Sequence, residues 1–240
     1  MIVKAIDFGV FTVTSNKVFH YYNENSSVVG MKMAIKPFVV QMEKDCFLVD
    51  TGFDFDENEE VLIKSMLLKN NVNPESVTKI LMSHLHKDHS KGLMKKMNDV
   101  YQSNFPNATI YIQKREFDFA LSQTEVKSYD HGLLLSLKDL PNIVWMEEDH
   151  GFITDNVEYQ VTGGHSPFHQ VFWFRENEEI YFFGGDNLPT KGFVDNFVAF
   201  KTDYDGKLAC DYRKKWMKIA LEENWKIMLY HDTKRDFLEN

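Results

Sequence analysis

The chain reads as an α/β protein in which two β-sheets pack face to face with helices outside, a four-layer αββα sandwich. Short apolar, β-branched runs recur through both halves of the sequence. Helical spacing is confined to a few segments between them, and runs of strands and helices in this order suit two packed sheets. At 240 residues and 43% hydrophobic content the chain can bury one sizeable core. It has no linker-like tract, low-complexity segment or solenoid repeat, so residues 1–240 are expected to form a single domain.

Residues Ile35 to Met42 and Cys46 to Val49 predict two strands of a hairpin turning at Glu43-Lys44-Asp45, the second running directly into Asp50-Thr51-Gly52. Val61, Leu62, Met66 and Leu68 fall on helical spacing, predicting a helix over Glu59–Leu68 that stops at Asn70-Asn71, before the turn signal Asn73-Pro74. A short strand at Lys79–Met82 delivers a histidine-rich loop. Leu93 to Tyr101 reads as a helix, Thr109 to Gln113 as a strand and Arg115 to Leu121 as a short helix. Further strands are expected at Ile143–Met146, Glu158–Val161, Gln170–Phe174 and Ile180–Phe183. A helix near Leu208–Glu222 and a last strand at Lys226–Tyr230 follow.

The formal charge of -9 disfavours a nucleic-acid partner, because displacing counterions from phosphates needs a basic surface. Lys91, Lys95 and Lys96 form the best local basic patch and read as the solvated face of the helix after the loop. Charge interrupts the N-terminus too early for a secretory leader, and no apolar run is long enough to span a membrane, so a cytoplasmic protein without membrane partners is expected. Cys46 and Cys210 stand far apart among apolar neighbours and are expected as free thiols.

The richest chemistry lies in Ser83-His84-Leu85-His86-Lys87-Asp88-His89, three imidazoles and a carboxylate within six positions. Imidazole nitrogen and carboxylate oxygen are the donors that zinc and its first-row neighbours accept at neutral pH, and His-x-His-x-Asp-His can serve two ions from one turn. His165, Asp186 and His231 each follow an apolar run and complete a candidate ligand set. Asp50, ending its strand, is expected to accept an imidazole N–H and fix which nitrogen faces a metal. His169 reads as a support for the His165 loop. His20, His131 and His150 carry no partner pattern.

Taken together, Asp50 in Val-Asp-Thr-Gly, the His84-x-His86-x-Asp88-His89 loop, His165 in Gly-Gly-His-Ser-Pro-x-His, Asp186 in Gly-Gly-Asp and His231 after an apolar strand resemble the metallo-β-lactamase superfamily. The matches span nearly the whole chain, and they specify the fold and a dinuclear centre more than a substrate. The resemblance implies that His84, His86 and His165 hold one metal, Asp88, His89 and His231 the second, and that Asp186 bridges both. Two divalent ions are implied, zinc first, with manganese or iron accepting the same donors. The implied reaction is attack of a metal-bridging hydroxide on a small ester, lactone or thioester, with Asp88 and Asp186 as the catalytic carboxylates.

Among the branches of the superfamily, diiron reductases carry a Glu where this chain has His86, and true β-lactamases lack a bridging Asp. Glyoxalase II adds a helical domain beyond the last His, whereas nine residues follow His231 here, and the tRNA-processing nucleases add an RNA-gripping arm. The interval from His165 through Asp186 to His231 is most similar to the acyl-homoserine lactonases. Two departures stand out. Pro189 occupies the place of the lactonase Tyr, leaving Asn187, Tyr129 or Tyr204 to supply a polar contact, and Ser90-Lys91-Gly92 replaces a small residue with paired glycines. Val28–Met33, read as a loop, and Gly192–Phe200 are candidate rims of an acyl pocket. The alternatives are a phosphodiesterase or nuclease on the same site, and a non-catalytic binding protein on this fold.

Overall fold

A computed structural model describes residues 1–53, 62–98 and 100–239. The chain folds as two compact units, one spanning Ile2–Met146 and the other Glu147 onward together with Met1.

The N-terminal unit contains β1 (Ile2–Ala5), β2 (Val10–Val13), β3 (Phe19–Tyr21), β4 (Met31–Ala34), β5 (Phe38–Gln41), β6 (Cys46–Val49), α1 (Leu62–Lys69), β7 (Lys79–Leu81), α2 (Lys87–Ser90), β8 (Met94–Met97), β9 (Val100–Ser103), β10 (Thr109–Gln113), α3 (Lys114–Ser122), α4 (His131–Leu137) and β11 (Ile143–Met146). Its main sheet has the order β1-β5-β6-β7-β10-β11. β5 and β6 form the expected hairpin, closed by the Met42 N–H donating to the Asp45 carbonyl, and β6, β7, β10 and β11 run parallel. All four residues of β6, Cys-Phe-Leu-Val, are buried, as expected of an inner strand covered on both faces. That strand carries Asp50 to the sheet edge, and parallel β7 brings Ser83 and His84 to the same edge.

The C-terminal unit contains β12 (His150–Thr154), β13 (Val157–Val161), β14 (Gln170–Glu176), β15 (Glu179–Phe183), α5 (Lys191–Asn196), α6 (Gly206–Glu223), β16 (Lys226–Met228) and β17 (Phe237–Leu238), with sheet order β12-β13-β14-β15-β16-β17. Helix α6 begins where the Asp205 carboxylate accepts the Leu208 N–H and ends at Asn224, which takes the left-handed conformation. Ala209, Arg213, Trp216 and Ala220, spaced four, three and four apart, form its buried stripe. The Trp216 ring lies 5.0 Å from the Phe182 ring of β15, and Phe182 also meets Trp173 of β14 and Trp225. This aromatic cluster fixes α6 and β15, the element that ends just before Asp186.

Several expectations need correction. Residues 94–103 form the hairpin β8–β9 rather than a helix; Met97 pairs with Val100, and Asn98 turns the chain with φ +47°. Leu93, Met94, Met97 and Tyr101 happen to lie at helical intervals, but the turn chemistry at Asn98 prevails. Lys95 and Lys96 therefore lie on a strand, not a helix face. The expected helix over 59–68 is described only from Leu62, and its first three residues lie outside the described ones. Met31–Met33 belongs to β4 of the small sheet β3-β2-β4 rather than to a loop. The strand expected at Ile35–Met42 is confined to Phe38–Gln41, and that at Lys226–Tyr230 stops at Met228.

Candidate metal centre

In the N-terminal unit the histidine-rich loop is held from below by Asp50-Thr51. The Asp50 carboxylate accepts three hydrogen bonds, from the Ser83 N–H (2.8 Å), the Ser83 hydroxyl (2.7 Å) and His89 Nδ1 (2.7 Å). The Thr51 N–H and hydroxyl both donate to the His89 carbonyl, at 2.7 and 2.8 Å. Asp50 makes these contacts from φ +54°, a left-handed conformation that Asp tolerates better than most side chains. Gly92 follows closely: a Cβ there would lie 2.2 Å from the Thr51 carbonyl oxygen, so only glycine lets the chain leave α2 along this path.

These contacts settle the imidazole tautomers. Asp50 is an acceptor, so the Ser83 hydroxyl gives its hydrogen to Asp50 and accepts, at 3.1 Å, from His84 Nδ1–H. His84 Nε2 therefore carries a lone pair, 3.0 Å from His86 Nδ1. His89 donates from Nδ1 to Asp50 and likewise presents Nε2, 3.9 Å from the nearer Asp88 carboxylate oxygen. The His84 ring centroid lies 4.6 Å from that of His86 and 4.2 Å from that of His89. His84, His89 and Asp88 are buried, and His86 is half-buried beside them.

Tyr129, also buried, sets its ring 4.9 Å from the His86 ring, and burial, followed by the charge of Glu116, raises its phenol above the ordinary range. Desolvation lowers the Lys87 ammonium, whose backbone N–H donates to the Ser128 carbonyl. Glu116, 1% exposed, accepts the Leu85 N–H between His84 and His86.

In the C-terminal unit His165, Asp186 and His231 converge. Asp186 sits in a single 3-10 turn, Gly185–Asn187, directly after β15. One of its oxygens lies 3.2 Å from His165 Nε2 and the other 3.0 Å from His231 Nε2. Its backbone N–H donates to His169 Nε2, which gives His169 a supporting place. The His231 N–H donates to the Pro189 carbonyl, an acceptor that proline retains. Asn187 is fully committed inside the protein: Oδ1 accepts the His165 N–H at 2.9 Å, and Nδ2 donates to the Gly163 carbonyl and the Thr162 hydroxyl. Gly164, at φ +92°, makes room for it, because a Cβ there would lie 2.5 Å from Asn187 Oδ1.

Asp203 carries no spacing signal in the sequence. Its Oδ1 lies 2.6 Å from His165 Nδ1 and its Oδ2 accepts the Phe200 N–H. With Nδ1–H given to Asp203, His165 Nε2 holds a lone pair facing an Asp186 oxygen. Two acceptors 3.2 Å apart in a buried place require either a second proton on the ring or a cation between them. The donor set, nitrogen-rich with interspersed carboxylates, is one that zinc and neighbouring divalent metals accept, and so fits the second resolution. Of the other candidate polar groups, Tyr204 is 68% exposed, while Asn187 is spent as described. In the candidate rims, Val29 and Met31 are exposed, as are Phe197 and Val198 after α5.

Among the described residues no helix is long and apolar enough to cross a membrane. Residues 35–218 match the Metallo-beta-lactamase superfamily. An N-acyl homoserine lactonase of Bacillus cereus is 26% identical over 224 residues, 83% of this chain and 81% of that protein. The fold matches a probable metal-dependent hydrolase from Staphylococcus aureus with a TM-score of 0.78 at 16% identity, covering 99% of this chain and 91% of the other. It also matches AidC, a dizinc quorum-quenching lactonase in complex with a product, at TM-score 0.70 and 23% identity over 86% of this chain and 75% of that one. The mixed α/β architecture expected from the sequence is the one these neighbours share. The chain belongs to the metallo-beta-lactamase superfamily, and that membership makes it a metal-dependent hydrolase.

Proposed function

We propose that this chain hydrolyses a small acyl-bearing lactone, ester or thioester at a dinuclear metal centre, and that both compact units act together as one catalytic domain. The observation that carries the reading is Asp186, which offers one oxygen to His165 and the other to His231, the disposition of a carboxylate shared by two cations. We assign His84, His86 and His165 to one ion, Asp88, His89 and His231 to the other, and Asp186 to both. Zinc is the first candidate metal, given the nitrogen-rich donors and the dizinc neighbour. When bound, such a pair supplies a nucleophile from water near neutral pH and Lewis acidity toward the scissile carbonyl.

The chain's own groups prepare the rest. Asp50 and Ser83 hold His89 and His84 with Nε2 as the metal-facing nitrogen, so no ring rotation is needed on binding. As an acceptor-only carboxylate, Asp186 is suited to take the proton released on addition and return it to the leaving oxygen. Burial of the assigned ligands other than His86, which is half-buried, limits bulk water and strengthens their charge interactions. Tyr129, buried with its ring 4.9 Å from that of His86, is the hydroxyl donor we assign to the substrate in place of the Tyr absent at Pro189.

The curated relative's substrate class makes an acyl-homoserine lactone the first compound to try. The test is proton release from a medium-chain acyl-homoserine lactone by zinc-reconstituted protein, with Asp186→Ala as the blank. Turnover well above the blank supports the reading. No turnover on that lactone, nor on ester and thioester analogues, would defeat it and turn the search to phosphodiesters.

A further inference from the structure

Among the described residues, two carboxylates grip the Nδ1 of a candidate metal ligand. Asp50 does so for His89 from the end of β6, and Asp203 for His165 from the connection between α5 and α6. The Asp203 carboxylate is 1% exposed and both of its oxygens are engaged, Oδ1 by His165 Nδ1 at 2.6 Å and Oδ2 by the Phe200 N–H at 2.9 Å. The neighbouring backbone reinforces the link. The Tyr204 N–H donates to the His165 carbonyl and the Asp205 N–H to the Gly164 carbonyl. Phe200 places its ring 5.5 Å from the His165 ring and 4.5 Å from that of Phe193. Arg213, wholly buried on α6, donates to the carbonyls of Asn187, Phe193 and Val198, tying this same segment to the turn that bears Asp186.

We propose that Asp203 is the positioning residue for His165, holding its Nδ1–H so that Nε2 is the metal-facing nitrogen, and that the same carboxylate fastens the Phe193–Phe200 segment to that ligand. The inference rests on the dinuclear reading above for its metal-binding consequence. Its tautomer consequence stands without it. A short charge-assisted hydrogen bond fixes ring orientation and raises the basicity of the opposite nitrogen. Because the second oxygen holds the Phe200 backbone, His165 cannot turn without disturbing the aromatic pair beside it, so the segment read as an acyl-pocket rim and a metal ligand move as one body.

The test uses the full chain with Asp203→Asn, Asp203→Ala and, as a control on exposed helix surface, Asp211→Asn. Zinc affinity is measured by competition with a chromophoric chelator, and the His165 tautomer by long-range proton–nitrogen NMR of the metal-free protein at mildly alkaline pH. The expected result is a loss of about 10- to 100-fold in affinity for one of two ions in both Asp203 variants. His165 in wild type should show a single Nδ1–H tautomer that becomes mixed in Asp203→Ala, and Asp211→Asn should match wild type. Asn is close in shape, so it remains informative should the Ala variant fold poorly. Wild-type affinity for both ions in the Asp203 variants overturns the proposal. So does lowered thermal stability with an unchanged tautomer, which would make Asp203 a packing residue. A wild-type protein that holds fewer than two ions defeats the dinuclear reading, and the tautomer measurement then decides on Asp203 alone.

Discussion

The two carboxylate clamps solve one problem from opposite kinds of backbone. Asp50 stands at the end of a fully buried strand and is pinned on both sides, its own N–H donating to the Leu81 carbonyl while its side chain accepts from Ser83 and His89. Asp203 stands in an irregular connection and is anchored by accepting the N–H of Phe200, earlier in the same connection, as well as by His165. The first clamp belongs to a contiguous set of donors, where a single turn brings His84, His86, Asp88 and His89 together. The second belongs to a set gathered from three separate strand ends. A contiguous ligand loop needs one strong anchor beneath it, whereas dispersed ligands each need their own orienting partner.

Breaking the shared carboxylate should have the largest effect. Asp186→Ala is expected to lower kcat/KM by on the order of 1000-fold, since charge stabilisation by the proposed metal pair would be worth several kcal/mol and each ~1.36 kcal/mol is tenfold. Steady-state kinetics on zinc-loaded protein checks this, and activity within tenfold of wild type would remove Asp186 from the mechanism. Next in size is the scaffold of the dispersed set. Trp216→Ala opens the cluster with Phe182 and Trp173 behind Asp186 and should cost about 3–5 kcal/mol in denaturant unfolding.

Asp50→Asn puts in place a side chain that tolerates the same left-handed backbone but cannot accept at every position the carboxylate serves. It should weaken by about 10- to 100-fold the zinc ion assigned to His89, which Asp203→Asn leaves alone, and, because His84 leans on Asp50 through Ser83, the ion assigned to His165 to a lesser degree. If Asp50→Asn weakened only the ion that Asp203→Asn weakens, the ligand assignment would be wrong. Tyr129→Phe should reduce kcat with little change in zinc content if its hydroxyl meets the substrate, and an unchanged kcat would remove Tyr129 as the replacement for the Tyr absent at Pro189.

The smallest effect concerns Asp45, on the hairpin between β5 and β6. Burial alone would raise its carboxyl, but hydrogen bonds from Lys79 and Thr78 and the Lys79 charge outweigh that and hold it below the usual range. A carboxyl lowered in the folded state adds stability that is present above its unfolded pKa and is lost as pH falls through the folded one. Because the pair is only part-buried, solvent screens a share of the contribution. Asp45→Asn should slightly flatten the acid limb of the stability–pH curve, and an unchanged limb would show that the pair contributes nothing.

Much of the fold is legible in residue patterns, for reasons that particular elements make plain. Inner strands are continuous apolar runs, as in Cys46–Val49 and in Val171, Phe172, Trp173 and Phe174 of β14, and α6 repeats its buried positions at helical spacing, so pattern and packing agree. The β8–β9 hairpin misleads because its apolar residues also satisfy a helical interval, leaving Asn98 as the discriminating signal. The β3-β2-β4 sheet escapes sequence reading because His20, Tyr21 and Lys32 keep exposed, polar-tipped faces that blur the apolar alternation. In the candidate site, Asp50 is readable because it follows a strand and precedes Thr-Gly. Asp203 lies 38 positions from its partner in an irregular segment, and only tertiary contact pairs it with His165.

The loop ligands and the dispersed ligands are proposed to hold one metal pair with Asp186 between its members. The most direct test is anomalous diffraction at the zinc edge from crystals of the zinc-loaded protein. Two peaks about 3.5–4 Å apart are expected, each within bonding distance of one Asp186 oxygen. A single peak, or two peaks neither of which touches Asp186, would contradict it.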